Sequence, residues 1–578
     1  MSPSLDLLGL KSNPSLLKGR RRLKVLGFGF GLAFASVALR LVDMLPPQPA
    51  ISSAEASDEA EGAEHRRPDI LDRNGVLLAT DLRLPSVFGD PLLIPNHAAA
   101  AKALAKVLSG TTAAELQERF DKARRFTWIK HQISPKEENA ILQLGIPGIG
   151  FKEAEHRVYP KGRSAAHVLG FVDIDNKGLS GIEYGLDHDM AGPVDPDVPV
   201  RLSIDLRVQE IVADELGKAM TQFHPIGGCG LVLDRVTGEV LAMVSLPDYD
   251  LNYPTEAGPE QRRNRCSGGA YELGSLFKVV SHAMSLDTGK VTLKSTFDAT
   301  GKLQIGRFRI GDDHAKNRIM SVPEIFMYSS NIGTARMAFA AGGGPALDSF
   351  LRKLGFYEKL PLEIPEVAKP MRPHRWPDIT TATVSFGHGI AMPPLQYLGA
   401  VAGLAGDGMH VPVTLLKRDP DHLPTPTRFI QEKTAADLRS IMYLTVAKGT
   451  GTRGQVDGYL LGGKTGTADK AILGHKGYDH NKVYASFLAA FPIDNPRYLV
   501  MINEDEPKGD KSTYGFRSGA WVAAPAVGNI ISRIAPLLGV PPSAPATILS
   551  YQDKFPQTRG MGLKSVEGTK LAAVGAED

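Results

Sequence analysis

Three short segments of this chain carry the residue types of a serine acyl-transfer site in which lysines move the protons. In chain order they are Ser275-Leu276-Phe277-Lys278, Ser329-Ser330-Asn331 and Lys464-Thr465-Gly466-Thr467. A serine hydroxyl is a weak nucleophile and needs an adjacent base. A lysine serves as that base only when burial or a nearby cation lowers its pKa. Order and surroundings matter, because residues 15–18 also spell S-x-x-K but lie in a basic tail.

The first segment predicts a nucleophile and its base on one helix. Ser275 and Lys278 are three positions apart, which places them on the same helical face about one turn apart. The apolar spacing of residues 277–286 is helix-like, and Gly274 lets the backbone approach a substrate closely. We expect Lys464 to be the second cation that lowers the pKa of Lys278. An isolated S-x-x-K is more often a surface lysine beside a capping serine.

The second segment offers a proton relay and an amide. The hydroxyl of Ser329 can pass a proton between Lys278 and a leaving amine, and the Asn331 carboxamide can hold both Lys278 and a substrate amide. The alternative is an ordinary helix N-cap, which Ser-Asn pairs commonly provide.

The third segment follows a Gly-rich strand entry at residues 459–463. The Thr467 backbone N–H is a candidate oxyanion donor, a contribution worth about 3–4 kcal/mol. The Thr465 hydroxyl is a candidate ligand for a carboxylate, and Gly466 is expected to leave the strand face clear for a ligand lying alongside. The alternative is a plain strand with a lysine at its end.

Composition is that of an ordinary globular protein. The chain has 578 residues, 43% of them hydrophobic and 22% charged, and a net charge of +3. This length predicts two to four domains, and the near-neutral charge gives no argument for nucleic acid. Cys229 and Cys266 are the only cysteines and have no zinc-ligand spacing. A disulfide in an exported domain and two unpaired core residues both remain open.

The N-terminus predicts a membrane anchor. Residues 1–24 form a basic cytoplasmic tail, and the apolar residues 25–45 are predicted to be a single transmembrane signal anchor. The N-terminus then lies in the cytoplasm and the catalytic part outside the inner membrane. A cleaved signal peptide is the competing interpretation.

The rest of the chain divides into four segments that differ in residue pattern. Residues 46–66 are a Pro/Ser/Ala-rich linker, 67–225 a mixed, extended, non-catalytic domain, 226–540 the catalytic domain and 541–578 a loosely ordered tail. An Asn74-Gly75 hairpin opens the first domain. The catalytic domain is predicted to be α+β, with mostly antiparallel strands and a helical cluster between its first and last strands.

The three segments, their order and their spacing resemble the penicillin-binding proteins and serine β-lactamases. Six further segments are similar to the class B penicillin-binding proteins: residues 72–75, 181–183, 201–205, 241–247, 385–389 and 523–525. The stretch around His388 resembles the septal, cell-division members. The chain departs from the family at Leu273, where proline is usual, and at Leu276, where a small residue such as threonine is usual. The first departure is expected to loosen the approach to Ser275, and the second to put a bulkier apolar group beside the nucleophile.

The resemblance implies a D,D-transpeptidase that joins peptidoglycan stem peptides through a Ser275 acyl-enzyme and is acylated by β-lactams. Catalytic roles fall to Ser275, Lys278, Ser329, Asn331, Lys464 and Thr467, and substrate binding to Thr465, Gly466 and Thr467. No cofactor or metal is implied. Expected partners are a membrane glycan polymerase and other division proteins. The alternatives are a carboxypeptidase or β-lactamase-type hydrolase, and a β-lactam sensor or division scaffold without turnover.

Overall fold

The computed structural model describes residues 66–188, 195–472 and 477–555. The predicted tail, the predicted anchor at 25–45 and nearly all of the predicted linker lie outside these described residues. Within the described part of the chain, no helix combines the length and the apolar character needed to cross a membrane.

The strands and helices follow in chain order. The strands are β1 Ile70–Leu71, β2 Leu77–Gly89, β3 Thr127–Lys130, β4 Ile149–Val158, β5 Val200–Arg201, β6 Gly227–Asp234, β7 Val240–Leu246, β8 Thr296–Asp298, β9 Leu303–Ile305, β10 Phe308–Ile310, β11 Ile319–Ser321, β12 Met409–His410, β13 Thr427–Arg428, β14 Gly462–Ala471, β15 Tyr478–Phe491 and β16 Tyr498–Asp505. The helices are α1 His97–Val107, α2 Ala113–Lys122, α3 Pro135–Leu144, α4 Ala166–Leu169, α5 Gly181–His188, α6 Leu206–Phe223, α7 Pro259–Arg262, α8 Lys278–Asp287, α9 Val322–Met327, α10 Asn331–Ala341, α11 Gly343–Lys353, α12 Asp378–Ser385, α13 Pro394–Ala405, α14 Glu432–Lys448, α15 Ala523–Leu537 and α16 Pro545–Lys554.

The first sheet begins with the predicted hairpin. Strands β1 and β2 pair antiparallel, with Ile70 opposite Ala79. The carboxylate of Asp72 accepts hydrogen bonds from the backbone N–H groups of Asn74 and Val76, which fixes the turn. Strand β2 then pairs with β3 and, along ten residues, with β4. Residues 99–126, which carry one helical pattern in sequence, form two helices, because Thr112 caps α2 with a capping box.

The second sheet positions the candidate site. Its strand order is β14-β15-β16-β6-β7, and every pairing is antiparallel. Helices α6 and α15 pack on one face, and α13 and α14 contact β6 and β14 on the other. The helical cluster lies in sequence between β7 and β14, as the strand pattern predicts. Helix α6 belongs to this packing unit although it precedes the predicted boundary at 225–226.

The C-terminal segment differs from the expectation of a loose tail from residue 541. Helix α16 spans Pro545–Lys554 and buries Ile548 and Gln552. Its Lys554 donates to the hydroxyl of Ser440 on α14. A ten-residue helix with so few apolar positions has weak periodicity, so sequence pattern alone did not reveal its packing. Residues 556–578 lie outside the described part.

The two cysteines form a disulfide. Cys229 on β6 and Cys266 lie 5.4 Å apart between their Cα atoms and are both fully buried. This separation is within the range of protein disulfides. Of the two possibilities left open by the sequence, the structure has the bonded one, and the bond ties the central strand β6 to the segment that leads into the nucleophile turn.

Candidate active site

The first motif lies at a change of helix type. Residues Gly274–Phe277 form a 3₁₀ turn that continues directly into α8 at Lys278. Side chains three positions apart eclipse one another in a 3₁₀ turn, so the turn directs both side chains of the motif to one side. The Lys278 Nζ atom lies 3.0 Å from the Ser275 Oγ atom.

Lys278 is completely buried and is surrounded by oxygen atoms. Besides Ser275, its Nζ atom lies 2.5 Å from the Ser329 carbonyl, 3.0 Å from the Ser329 hydroxyl and 2.8 Å from the Asn331 Oδ1 atom. A neutral amine has two N–H donors and one lone pair. The Ser329 carbonyl and the Asn331 amide oxygen can accept both N–H groups, which leaves the lone pair for the Ser275 proton.

The second motif presents its outer two residues to Lys278 and uses its middle residue as the helix cap. Ser330 is the N-cap of α10, where its hydroxyl accepts from the Gly333 N–H. Ser329 has a φ of 59°, an unusual left-handed conformation for a non-glycine residue. That conformation turns its carbonyl and hydroxyl toward the lysine. The capping alternative is therefore correct for Ser330, while Ser329 and Asn331 lie in the site.

A residue outside the three motifs holds the second motif in place. One carboxylate oxygen of Asp312 accepts from the backbone N–H groups of Asn331 and Ile332 at 2.6 and 3.0 Å. The other oxygen accepts from the Ser330 hydroxyl at 2.6 Å. No local pattern in the sequence indicates this role for Asp312, because it lies 18 residues before Ser330 and capping patterns do not extend that far.

Replacing Asp312 by alanine is expected to lower the rate of Ser275 acylation by about 10²-fold. The loss of three charge-assisted hydrogen bonds frees Ser329 and Asn331, and a misplacement of about 1 Å is enough for such an effect. Asp313→Ala is the matched control. Both carboxylates raise the pKa of Lys278, but only Asp312 accepts these three hydrogen bonds. Equal losses in the two variants, measured as acylation kinetics, would contradict the positioning role.

The third motif brings a second buried lysine to the same hydroxyl. Lys464 on β14 is fully buried, and its Nζ atom lies 3.0 Å from the Ser329 Oγ atom. The Ser329 hydroxyl thus lies within hydrogen-bonding distance of both lysines. The Thr465 hydroxyl pairs with that of Thr450 at 2.7 Å, and the Thr467 hydroxyl accepts from the Gly519 N–H at 3.2 Å.

Both lysines have lowered pKa values. Burial lowers the pKa of Lys278 to about 7, against the opposing effect of Asp312 and Asp313. Burial is also the largest cause that lowers the pKa of Lys464 well below its ordinary value, and the charge of Lys278 adds to it. Burial is therefore what favours a neutral Lys278. The charge effect runs from Lys278 to Lys464, so the expected role of Lys464 as the cation that lowers the pKa of Lys278 does not appear in the electrostatics of the site.

The pH dependence of acylation is expected to follow Lys278. Only the neutral amine accepts a proton, so the rate should fall about tenfold for each pH unit below about 7 and level off above it. The check is the second-order acylation rate of Ser275 by a penicillin, with far-UV circular dichroism to show that the fold is intact throughout. A rate that is flat across neutral pH in folded protein would contradict this assignment of the base.

Two glycines hold the nucleophile turn directly against β14. A Cβ atom on Gly274, which has a φ of +54°, would lie 2.5 Å from the Thr467 carbonyl oxygen. A Cβ atom on Gly466 would lie 2.7 Å from the Leu273 carbonyl oxygen. The side of each glycine where a side chain would stand therefore faces the protein and not the cleft. They allow backbone-to-backbone packing within the protein, because neither segment has room for a side chain.

The two positions at which this chain departs from the usual family residues lie in the core. Leu273 and Leu276 are both buried, and the Leu276 side chain packs against Gly466. Neither residue lines the cleft around Ser275. The expectation of a bulky group beside the nucleophile is thus wrong for Leu276, whose side chain lies beneath the turn rather than next to the substrate.

The motifs open into one cleft of about 420 Å³. Its lining includes all three motifs, the loop after β10 and the connection between β16 and α15. Among the lining residues are Ser275, Ser329, Asn331, Thr465, Thr467, Arg453 and Trp521. Lys278 and Lys464 lie behind this lining, so they reach the cleft through the hydroxyls of Ser275 and Ser329.

Two family models match this sequence. Residues 228–531 match the penicillin binding protein transpeptidase domain, and residues 63–192 match the penicillin-binding protein dimerisation domain. The chain belongs to the class B penicillin-binding proteins, in which a dimerisation domain precedes the transpeptidase domain.

Individual relatives agree with this assignment. The chain is 41% identical over 490 residues to the probable peptidoglycan D,D-transpeptidase FtsI of Caulobacter vibrioides, covering 83% of each chain. It is 34% identical to the probable peptidoglycan D,D-transpeptidase PenA of Neisseria meningitidis, covering 83% of this chain and 86% of the relative. Penicillin binding protein 3 of Mycobacterium tuberculosis complexed with ampicillin matches with 25% identity and a TM-score of 0.65, covering 83% of this chain and 97% of that one.

Proposed function

We propose that this protein is a peptidoglycan D,D-transpeptidase that crosslinks stem peptides during septal wall synthesis and is acylated by β-lactams. The observation that carries the proposal is the position of the Lys278 Nζ atom, 3.0 Å from the hydroxyls of both Ser275 and Ser329. The names of the curated relatives, which are peptidoglycan D,D-transpeptidases, support the same activity.

The first half-reaction forms the acyl-enzyme. Neutral Lys278 accepts the Ser275 proton while Oγ attacks the carbonyl carbon between the last two D-alanines. The backbone N–H groups of Ser275 and Thr467 are assigned to the oxyanion, because Gly274 packs against the Thr467 backbone and brings the two segments together. Such preorganised donors stabilise charge that develops in the transition state.

The leaving group then receives its proton through Ser329. The Ser329 hydroxyl lies 3.0 Å from both Lys278 and Lys464. It gives its proton to the departing D-alanine amine as the C–N bond breaks, and Lys278 replaces that proton. Thr465 and Thr467 are assigned to the terminal carboxylate, and Asn331 to the amide of the stem peptide.

The second half-reaction consumes the ester. The amine of a neighbouring stem peptide attacks the acyl carbon and gives up a proton, through the Ser329 hydroxyl, to neutral Lys278. The new C–N bond forms, the C–O bond to Ser275 breaks, and the leaving Ser275 oxygen takes that proton from Lys278. Water in place of the amine would give hydrolysis instead. Crosslinking and hydrolysis therefore differ only in the second nucleophile.

Localisation and partners are part of the proposal. We place the chain in the inner membrane with residues 25–45 as its anchor and the catalytic part outside. The buried Cys229–Cys266 disulfide supports an extracytoplasmic fold, since disulfides persist in oxidising compartments. The reaction needs uncrosslinked strands, so a glycan polymerase is the expected membrane partner, together with other division proteins.

One experiment separates the transpeptidase from a hydrolase on the same fold. Full-length protein is acylated with a penicillin, excess drug is removed, and the loss of the adduct is followed. A transpeptidase is expected to hold the adduct for many minutes and to form crosslinked dimers from glycan strands that carry pentapeptide stems. Rapid release of the adduct, with stem trimming and no dimers, would contradict the proposal.

A further inference from the structure

A cluster of aromatic rings, two of them exposed, lies at one edge of the cleft. We call it the aromatic rim; it consists of Tyr514, Phe516 and Trp521 on the connection between β16 and α15, together with Arg453. The Phe516 ring stacks on Trp521 at 5.2 Å between centroids, and Tyr514 meets Trp521 edge-on at 5.8 Å. The Arg453 guanidinium lies 3.4 Å from the Trp521 ring centroid. The side chain of Tyr514 is 80% exposed and that of Phe516 50% exposed.

The loop that carries the rim is held rigidly. The Asp510 carboxylate accepts from the Thr513 N–H and from Gln222, and its carbonyl accepts from the Gly515 N–H. The Phe516 N–H donates to the Thr513 carbonyl at 2.9 Å. Two large apolar rings are thus kept in water by a hydrogen-bonded frame. A preorganised surface of this kind loses little entropy when it binds a ligand.

The backbone at Tyr514 is strained. Its φ is 53°, in the left-handed region that glycine and asparagine occupy at little cost but an aromatic residue does not. Strain at an exposed residue gains nothing from core packing, and such outliers concentrate at ligand-binding sites. The strain therefore points to a use for the ring outside the protein.

The rim continues into the cleft. Trp521 and Arg453 belong both to the rim and to the lining around Ser275. The cleft of about 420 Å³ equals roughly 14 water molecules in volume. That volume accommodates the end of a stem peptide but not the sugars that carry it. The rest of a substrate attached to glycan must therefore extend over an edge of the cleft. The edge at Trp521 and Arg453 is the one that carries the aromatic rim.

We propose that the aromatic rim is a carbohydrate-binding subsite that holds the glycan of the donor strand. This inference rests on the proposed transpeptidase function. The apolar C–H face of a sugar ring stacks on an aromatic ring, while hydroxyl and N-acetyl groups need polar partners at the edge. Tyr514 and Phe516 provide the rings, and the Tyr514 hydroxyl and the Arg453 guanidinium provide donors. The rim thereby selects stems that are still attached to glycan over free peptides.

The test uses glycan strands from which an amidase has removed the stems. Full-length protein carrying Ser275→Ala is purified in detergent and titrated with these strands. The same protein with the two further substitutions Tyr514→Asn and Phe516→Ala, the double rim variant, is titrated in the same way. Asparagine suits the left-handed backbone, so Tyr514→Asn removes the ring without disturbing the loop. The double rim variant is expected to bind the stem-free strands at least about tenfold more weakly, because it loses at least one aromatic stacking contact. Tyr253→Ala is the control, since Tyr253 is 60% exposed away from the cleft.

Two results would overturn the subsite. The first is equal glycan binding by the rim variants and the control, or no binding of stem-free strands at all. The second is a rim variant that loses affinity for free pentapeptide as well, which would assign the rim to the peptide. Penicillin acylation of the Ser275-containing protein is measured in parallel. If penicillin does not acylate the wild-type protein, the proposed function is contradicted. If acylation occurs but the rim variants bind glycan as tightly as the control, only the subsite is contradicted.

Discussion

Replacement of Lys278 by alanine is expected to lower the second-order rate constant for Ser275 acylation by about 10³-fold. The reason is the loss of the proton acceptor that lies 3.0 Å from the Ser275 hydroxyl, since general-base catalysis contributes about 10²–10⁴-fold. The measurement is stopped-flow or gel-based acylation by a reporter penicillin. Because Lys278 is buried, circular dichroism and thermal unfolding must show that the variant is folded.

Two controls distinguish a proton acceptor from a mere cation. Lys278→Arg keeps the positive charge, but a guanidinium does not lose its proton in proteins, so this variant is expected to be nearly as slow. Lys18→Ala alters the other S-x-x-K segment and is expected to acylate at the wild-type rate. A folded Lys278→Ala variant that retains more than about a tenth of the rate would assign the base elsewhere, with Lys464 as the next candidate.

Removal of the disulfide is expected to lower the free energy of unfolding by about 4 kcal/mol in a Cys229→Ala/Cys266→Ala variant. The bond closes a loop with a sequence separation of 37 residues, and the chain-entropy model assigns about that value to a loop of this length. The expected observation is a lower denaturation midpoint in urea for this variant than for the oxidised wild type.

The matched comparison for the disulfide is the wild type with and without reductant. Reduced wild-type protein is expected to unfold at nearly the midpoint of the double alanine variant, while the oxidised protein unfolds later. Thiol titration of unreduced, denatured wild type is expected to find no free thiol. Two reactive thiols in that titration would show that the bond does not form.

The parts of the fold that follow from local pattern were predictable from the sequence. The Asn74-Gly75 hairpin and the strands on both sides of the helical cluster depend on neighbouring residues, and the structure has both. The three motifs also identified Ser275, Lys278, Ser329, Asn331 and Lys464 as a group, because reactive residue types in a fixed order are rarely a coincidence.

The features that the sequence missed depend on contacts between distant segments. Asp312 carries no local capping pattern, yet its carboxylate holds the second motif. Gly274 and Gly466 are conspicuous in sequence, but only the structure shows that Gly274 packs against the Thr467 backbone and Gly466 against the Leu273 backbone. Leu276 likewise follows the nucleophile in sequence while its side chain lies in the core. A motif therefore identifies the reacting groups better than it identifies their surroundings.

The most direct test of the central claim is to find where a penicillin binds covalently. Full-length protein is labelled with a fluorescent penicillin, digested and analysed by mass spectrometry. One adduct is expected, on the peptide that contains Ser275, and a folded Ser275→Ala variant is expected to take up no label. Label that persists in Ser275→Ala, or that maps to Ser329 or to Ser15, would contradict the assignment of Ser275 as the nucleophile.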